Sequence, residues 1–283
     1  MYERTYHAKV LRHPPRGTSA KKKKRRAFRW KRFGIFILVV GGIVGSILLV
    51  RAPYFQVATA SDVHIVGTTV VDPDEVSRYV VSTFKGNALL LFPRTSIFLI
   101  APDTVAAAVQ KQFPRFKSVK VVRTDMHSLK VVVAEYPAVY LWCDGNERCS
   151  FMDASGVVFA DAPYFSGNAY LKLSGGARGV YPFKPLTAAD IAFVSTVSAR
   201  LRAIAITPLS FSFVSDHDVS VGFMHGATVA QLLFDPSKDI DTSLEALYSG
   251  LRTDPLASLY HNASKVLEYI DVRFDSKVVY KFQ

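Results

Sequence analysis

The sequence predicts an α+β protein on a single-pass membrane anchor: a small β-α-α-β-β unit comes first, followed by a mainly antiparallel β unit with one or two helices. One uncharged run, Phe33–Val50, is long enough to cross a bilayer. Two proline-led helix starts then stand between β-branched runs, and beyond them short apolar strands recur with one long helical period among them. The boundaries that follow are a basic tail at 1–32, the span at 33–50, a first outer unit at 54–137 and a second at 138–283.

The run Phe33–Val50 has 18 residues and follows the basic cluster Lys21–Arg26. At about 1.5 Å of rise per residue it covers about 27 Å, close to the hydrocarbon thickness of a membrane. Trp30 and Tyr54 bracket it at the two interfaces, where amphipathic rings are favoured. Of the 35 Lys+Arg and 23 Asp+Glu, residues 1–33 hold 13 bases and one acid, Glu3, which accounts for the whole formal charge of +12. The rest of the chain is neutral. A pI of about 9.7 therefore reports topology and attraction to anionic lipid, with the N-terminus cytoplasmic, and no nucleic-acid partner is expected.

Ala58-Thr59-Ala60 has the small-x-small form of a signal-peptidase site. The long n-region, the long apolar run, and the intervening Arg51 and Pro53 argue for an uncleaved anchor. Gly41-xxx-Gly45 has the spacing of a helix-dimer motif, a weak signal in a membrane span. Residues 1–32 bury no core and are expected to be disordered.

In the first outer unit Val57–Gly67 reads as a strand, and Asp72-Pro73-Asp74-Glu75 opens a helix whose Val76, Tyr79, Val80 and Phe84 share a face. Asn87–Ile100 is apolar and broken by proline, an irregular crossing. A second helix starts near Asp103, turns Val105, Val109 and Phe113 inward and stops at Pro114. Phe116–Arg123 and Leu129–Glu135 read as a hairpin.

Cys143 and Cys149, the two cysteines of the chain, flank an Asp-Gly turn. Opposed hairpin positions in an oxidising compartment permit a disulfide, and the other reading is two unpaired small apolar residues. No third and fourth ligand stands near them to make a metal site. Tyr170–Leu173 follows as a strand, then a helix after Thr187 with Ile191, Val194, Val197, Leu201 and Ile204 on one face. Phe211-x-Phe213 and Val219-x-Val221-x-Phe223 form a hairpin about Ser215–Asp218.

Asp216, His217, Asp218 and His225 are the nearest approach to a catalytic or metal cluster, and turn chemistry accounts for the first three. The sequence offers no nucleophile with base and orienter, no HExxH and no phosphate-binding glycine loop, so neither catalysis nor a cofactor is expected. Asn262-Ala263-Ser264 fits a glycosylation sequon. Val266–Phe282 reads as two strands around Asp275-Ser276-Lys277, the last one alternating Val278, Tyr280, Phe282 against Val279, Lys281. A strand at the end of a chain is commonly an edge strand, and an edge can accept another chain's strand.

Val63-x-Ile65-Val66-Gly67, Phe113-Pro114, Val119–Arg123, Leu129–Pro137 and Phe151-Met152-Asp153-x-x-Gly156-Val157-Val158-Phe159 occur in an order that resembles the FtsQ/DivIB bacterial cell-division proteins. Tyr269, Asp271 and Arg273 are similar to the family's Tyr-x-Asp-x-Arg-Tyr motif. The turn Met126-His127-Ser128 lacks the family's usual proline and glycine, and Phe274 replaces a tyrosine and so removes a hydroxyl. The resemblance implies a POTRA module followed by a β domain, in a type II protein of the division septum without catalytic activity. It implies FtsL and FtsB (DivIC) as partners, one adding a strand beside the last, with Arg273, Phe274, Lys277, Val279 and Phe282 as contacts. A POTRA-bearing export or envelope-assembly component that binds polypeptide chains is the alternative from another class, and an anchored wall hydrolase would need a catalytic group the sequence lacks.

Overall fold

The computed structural model describes residues 20–84, 86–88, 92–145, 148–165, 167–176, 178–262, 264–274 and 277–283, with the backbone alone at 20–29, 87, 88 and 92. Residues 1–19, Lys85, Leu89–Leu91, Asn146, Glu147, Ser166, Ala177, Ala263, Asp275 and Ser276 lie outside the described residues, and with them parts of the tail, the crossing stretch, the cysteine turn, the sequon and the last turn.

The N-terminal helix α1 runs Ala20–Arg51, and its Trp30–Arg51 portion is long and apolar enough to span a membrane. It begins well before the apolar run, which corrects the expectation of disorder over all of 1–32. The reason is cooperative: Lys, Arg and Ala are good helix formers, and extending an existing helix adds one hydrogen bond per residue without a new nucleus. After Arg51 the chain enters the fold at once. Ile97 N donates to Phe55 O at 2.8 Å and Val57 N to Thr95 O at 2.8 Å. Val57 is fully buried, and Thr59 and Asp62 close a capping box around a turn of 3₁₀ helix at Ala60–Asp62. The Ala58-Thr59-Ala60 peptide is thus part of a folded segment, and the strand expected from Val57 shortens to β1, Val63–Val66.

Asp72 caps α2 (Pro73–Thr83), accepting from Asp74 N at 3.0 Å, and Val76 and Val80 are fully buried. Asn87–Ala88 (β2) and Phe92–Pro93 (β3) pair within the stretch expected to be irregular, and β3 lies beside α1. Helix α3 (Pro102–Gln112) leads into the hairpin β4 (Phe116–Arg123) and β5 (Leu129–Glu135). Strand β1 pairs in parallel with β5, giving a sheet of order β1-β5-β4 on which both helices bury their apolar faces. Leu129, Val131 and Val133 point into that core while Lys130 and Val132 face out, as their alternation predicts.

Among the described residues the second sheet has nine strands. Its elements are β6 (Tyr140–Cys143), β7 (Cys149–Met152), β8 (Val158–Asp161), β9 (Leu171–Ser174), α4 (Ala188–Ala203), β10 (Pro208–Ser215), β11 (Asp218–His225), β12 (Thr228–Phe234), α5 (Ile240–Gly250), α6 (Leu256–Tyr260), β13 (Leu267–Asp271) and β14 (Val279–Phe282). The order is β14-β13-β12-β11-β10-β9-β6-β7-β8. The unit is mainly antiparallel, as expected, although β6/β9, β9/β10 and β12/β13 pair in parallel and make the sheet mixed. Among the described residues it has three helices where one or two were expected. Parallel neighbours need a crossover, and α4 supplies one while α5 and α6 supply another. The core lies between these helices and one sheet face, around Trp142, Leu173, Val194, Leu201, Phe211, Phe223, Leu232 and Leu247.

Candidate functional site

Strand β14 occupies one rim of the nine-stranded sheet, and among the described residues no strand pairs beyond it. Its register sets Val279 opposite Asp271, Tyr280 opposite Ile270 and Lys281 opposite Tyr269. Gln283 N donates to Val266 O at 2.8 Å, so Gln283 faces β13. Antiparallel alternation then turns the N–H and C=O of Phe282 and Tyr280 outward, the array that an added strand can use. The opposite rim differs. Val158 of β8 exchanges two hydrogen bonds with Phe183, at 2.8 and 3.0 Å, so a loop already covers that edge.

Side chains alternate along β14 as well. Val278, Tyr280 and Phe282 pack on the core, whereas Val279 and Lys281 face solvent. Lys281 Nζ lies 2.7 Å from Glu268 Oε2, and that hydrogen bond holds the Glu268 carboxyl below its ordinary value and the Lys281 ammonium above its own. Lys277 sits over the exposed Phe274 ring at 5.1 Å, a cation–π contact on the same rim. Beside the strand, Gly250, Thr253, Pro255 and Leu256 form a groove wall facing Val278 and Tyr280.

Arg273 is differently placed. Its Nε donates to Asp271 Oδ1 at 2.9 Å and an Nη to Asp271 Oδ2 at 2.6 Å, while the other Nη binds Asp218. Burial opposes ionisation of Asp271, yet the Arg273 bonds outweigh it and hold the carboxyl below its ordinary value; the same bonds raise the guanidinium. Arg273 is therefore an internal strut that fixes the chain leaving β13. Phe282 is half-buried against the core, with its ring 6.5 Å from that of His225. Of the five carried-over contacts, Phe274, Lys277 and Val279 are exposed on the rim, while Arg273 and Phe282 are turned mainly inward. Lys281, which the resemblance did not single out, is exposed beside Val279, and the alternation of β14 was the signal for it.

The carboxylate–histidine cluster is not assembled. His217 Nδ1 contacts Ser237 Oγ at 3.2 Å, Asp218 serves Arg273, and His225 Nε2 meets Tyr260 O at 2.9 Å. His217 and His225 bracket the length of β11, which at about 3.3 Å per residue separates them by more than about 20 Å. Among the described residues no group of three His, Cys, Asp or Glu could hold a metal. Cys143 and Cys149 are joined, S–S 2.02 Å, as directly opposed residues of β6 and β7, toward the rim away from β14. Asn262 Oδ1 accepts from Ser264 N at 3.0 Å, an Asx turn that occupies the sequon asparagine.

A scan against family models finds no match for this chain, and no curated protein matches it.

Proposed function

We propose that the protein is a non-catalytic, single-pass scaffold of the FtsQ/DivIB kind, with residues 54–137 as its POTRA module and 138–283 as its β domain. The helix Trp30–Arg51 anchors it in the cell membrane with the folded part outside, and at the septum it holds the bitopic FtsL and FtsB (DivIC) type partners that control septal wall synthesis. The single observation that carries this reading is the rim at β14: backbone groups of Tyr280 and Phe282 directed outward, Val279 and Lys281 beside them, and a groove along α5 and α6. The order β1-β5-β4, with β1 parallel to β5, agrees with a POTRA-like first unit, and the large mixed sheet supplies the platform.

In this mechanism a short partner segment pairs antiparallel or parallel with β14, its main chain bonding to the outward groups and its side chains meeting Val279, Lys281, Lys277 and Phe274. Arg273 sets where the loop before β14 begins, so it acts through position. The test places a photo-crosslinking amino acid at Lys277 in the full-length membrane protein and identifies the captured chain by mass. Capture of a small bitopic coiled-coil protein, lost on Val279→Asp, is the expected result. Capture of an export-machinery component, or no capture by folded protein, overturns strand addition and favours the export reading.

A further inference from the structure

A second surface stands close to the end of the membrane helix. Tyr54 is 64% exposed, Phe98 47% and Met126 54%, and the three line one shallow hollow with His127 and Arg123. They are contiguous: the Tyr54 ring is 5.6 Å from His127, and Phe98 lies 5.2 Å from Phe55. Arg123 donates to Ile100 O at 2.6 Å and Asp125 accepts from Ser128 Oγ at 2.9 Å, so the charged side chains within the patch are turned to internal partners.

The height of this patch above the membrane is fixed by the chain. Arg51 ends α1, and Tyr54 follows three residues later, within about 10 Å along any path. No flexible linker intervenes. Gln56 Nε2 donates back to Arg51 O at 2.8 Å, and Ile97 N binds Phe55 O, which ties the loop carrying Phe98 to the helix end. The polar layer of one leaflet is about 5–8 Å deep beyond the hydrocarbon. A patch tethered this closely to the helix exit, with aromatic and thioether side chains beside His127, has the composition favoured in that layer.

We propose that Tyr54, Phe98 and Met126 form a second membrane contact, which rests in the headgroup layer of the leaflet that α1 leaves and fixes the tilt of the first outer unit on the bilayer. The occupant is phospholipid, and the proposal rests on α1 being a membrane span. The face would otherwise leave three large apolar side chains in water beside a surface that can take them up.

The experiment uses full-length protein in phospholipid nanodiscs with a photo-crosslinking amino acid placed singly at Leu38, Phe98, Met126 or Tyr164, the adduct being read by mass. Leu38 is mid-helix, and Tyr164 is 92% exposed on a loop of the large sheet. The expected result is a lipid adduct at Leu38, Phe98 and Met126, about tenfold or more above Tyr164, as an interfacial site requires. Met126 stands on an exposed turn away from the Phe55–Phe98 ring contact, so its labelling decides the test even if the probe at Phe98 disturbs that contact. Lipid labelling at Leu38 with Phe98 and Met126 at the Tyr164 level, or protein adducts in place of lipid at those two positions, overturns the proposal and leaves the span standing. No lipid at Leu38 overturns the span and the proposal together.

Discussion

Glu135 shows how one carboxylate closes a unit. Its oxygens accept from the backbone N–H of Thr69, Val70 and Val71 at 2.9 to 3.1 Å, from the Thr69 hydroxyl at 2.9 Å and from Arg115 Nε at 3.1 Å. Gly67 makes the approach feasible: at φ +98° it turns the chain, and a Cβ there would collide with Val133 O. Burial opposes ionisation of the carboxyl, but the three backbone donors and Thr69 prevail and lower its pKa from 4.5 to about 2. A depressed carboxylate stabilises the fold above its unfolded value and loses that contribution as the pH falls through the folded one. At about 1.4 kcal/mol per unit this is worth about 3 kcal/mol near neutrality. Glu135→Gln should therefore lower unfolding free energy by about that much at pH 7, and the gap to wild type should close as pH drops from 4.5 towards 2 in denaturant titrations. A gap independent of pH would show that shape, not charge, is what the variant loses.

At the scale of the element, β14 can be tested with little risk to the fold. Lys281 is exposed and Glu268 partly so, and a solvent-screened pair of this kind adds little to stability. Lys281→Glu should shift the thermal midpoint by no more than about two or three degrees, yet put two like charges on the rim and abolish capture of a partner strand. Unchanged capture by the variant would remove Lys281 from the interface.

Much of this element was legible beforehand. The alternation Val278, Tyr280, Phe282 gave its faces, as Asp72-Pro73 gave the start of α2 and Thr187 the start of α4. Strand β12 and helices α5 and α6 were not read. β12 carries Leu233 on the face opposite Leu232, which blurs its period, although Asp239 caps α5 by accepting from Thr242 N at 3.1 Å in the usual pattern. Strand order was legible only where hairpins join neighbours, β4/β5, β10/β11 and β13/β14, and in the place of the last strand at an edge. Local periodicity tells which face is buried, but the parallel pairs β12/β13 and β9/β10 are decided by how α4, α5 and α6 lie on the sheet. Which contacts on the rim point outward depended on that order, and so did the recognition that Arg273 braces Asp271 and Asp218.

At the scale of the whole molecule, Arg115 and Tyr136 of the first unit meet aromatic rings of the second sheet. Arg115 precedes β4 in the first core and binds Glu135, while its guanidinium lies 5.4 Å from the Phe151 ring and 5.3 Å from that of Phe159 in the second sheet. Tyr136, whose N–H donates to Arg115 O at 3.0 Å, stacks on Phe159 at 5.3 Å. Phe159 is fully buried by this arrangement, so the joint is packed as well as charged. Each cation–π contact contributes about 0.5–2 kcal/mol and the stacked ring pair about 0.5–1.5, enough to couple the unfolding of two cores of ordinary stability. Arg115→Met keeps an apolar stem of similar reach but removes the ion pair and both ring contacts. In calorimetry of the full chain in detergent, wild type should unfold in one transition and Arg115→Met in two, the earlier one belonging to the unit that Glu135 closes. A single transition in the variant, merely shifted, would mean that the stacked Tyr136–Phe159 pair, and not Arg115, couples the two cores.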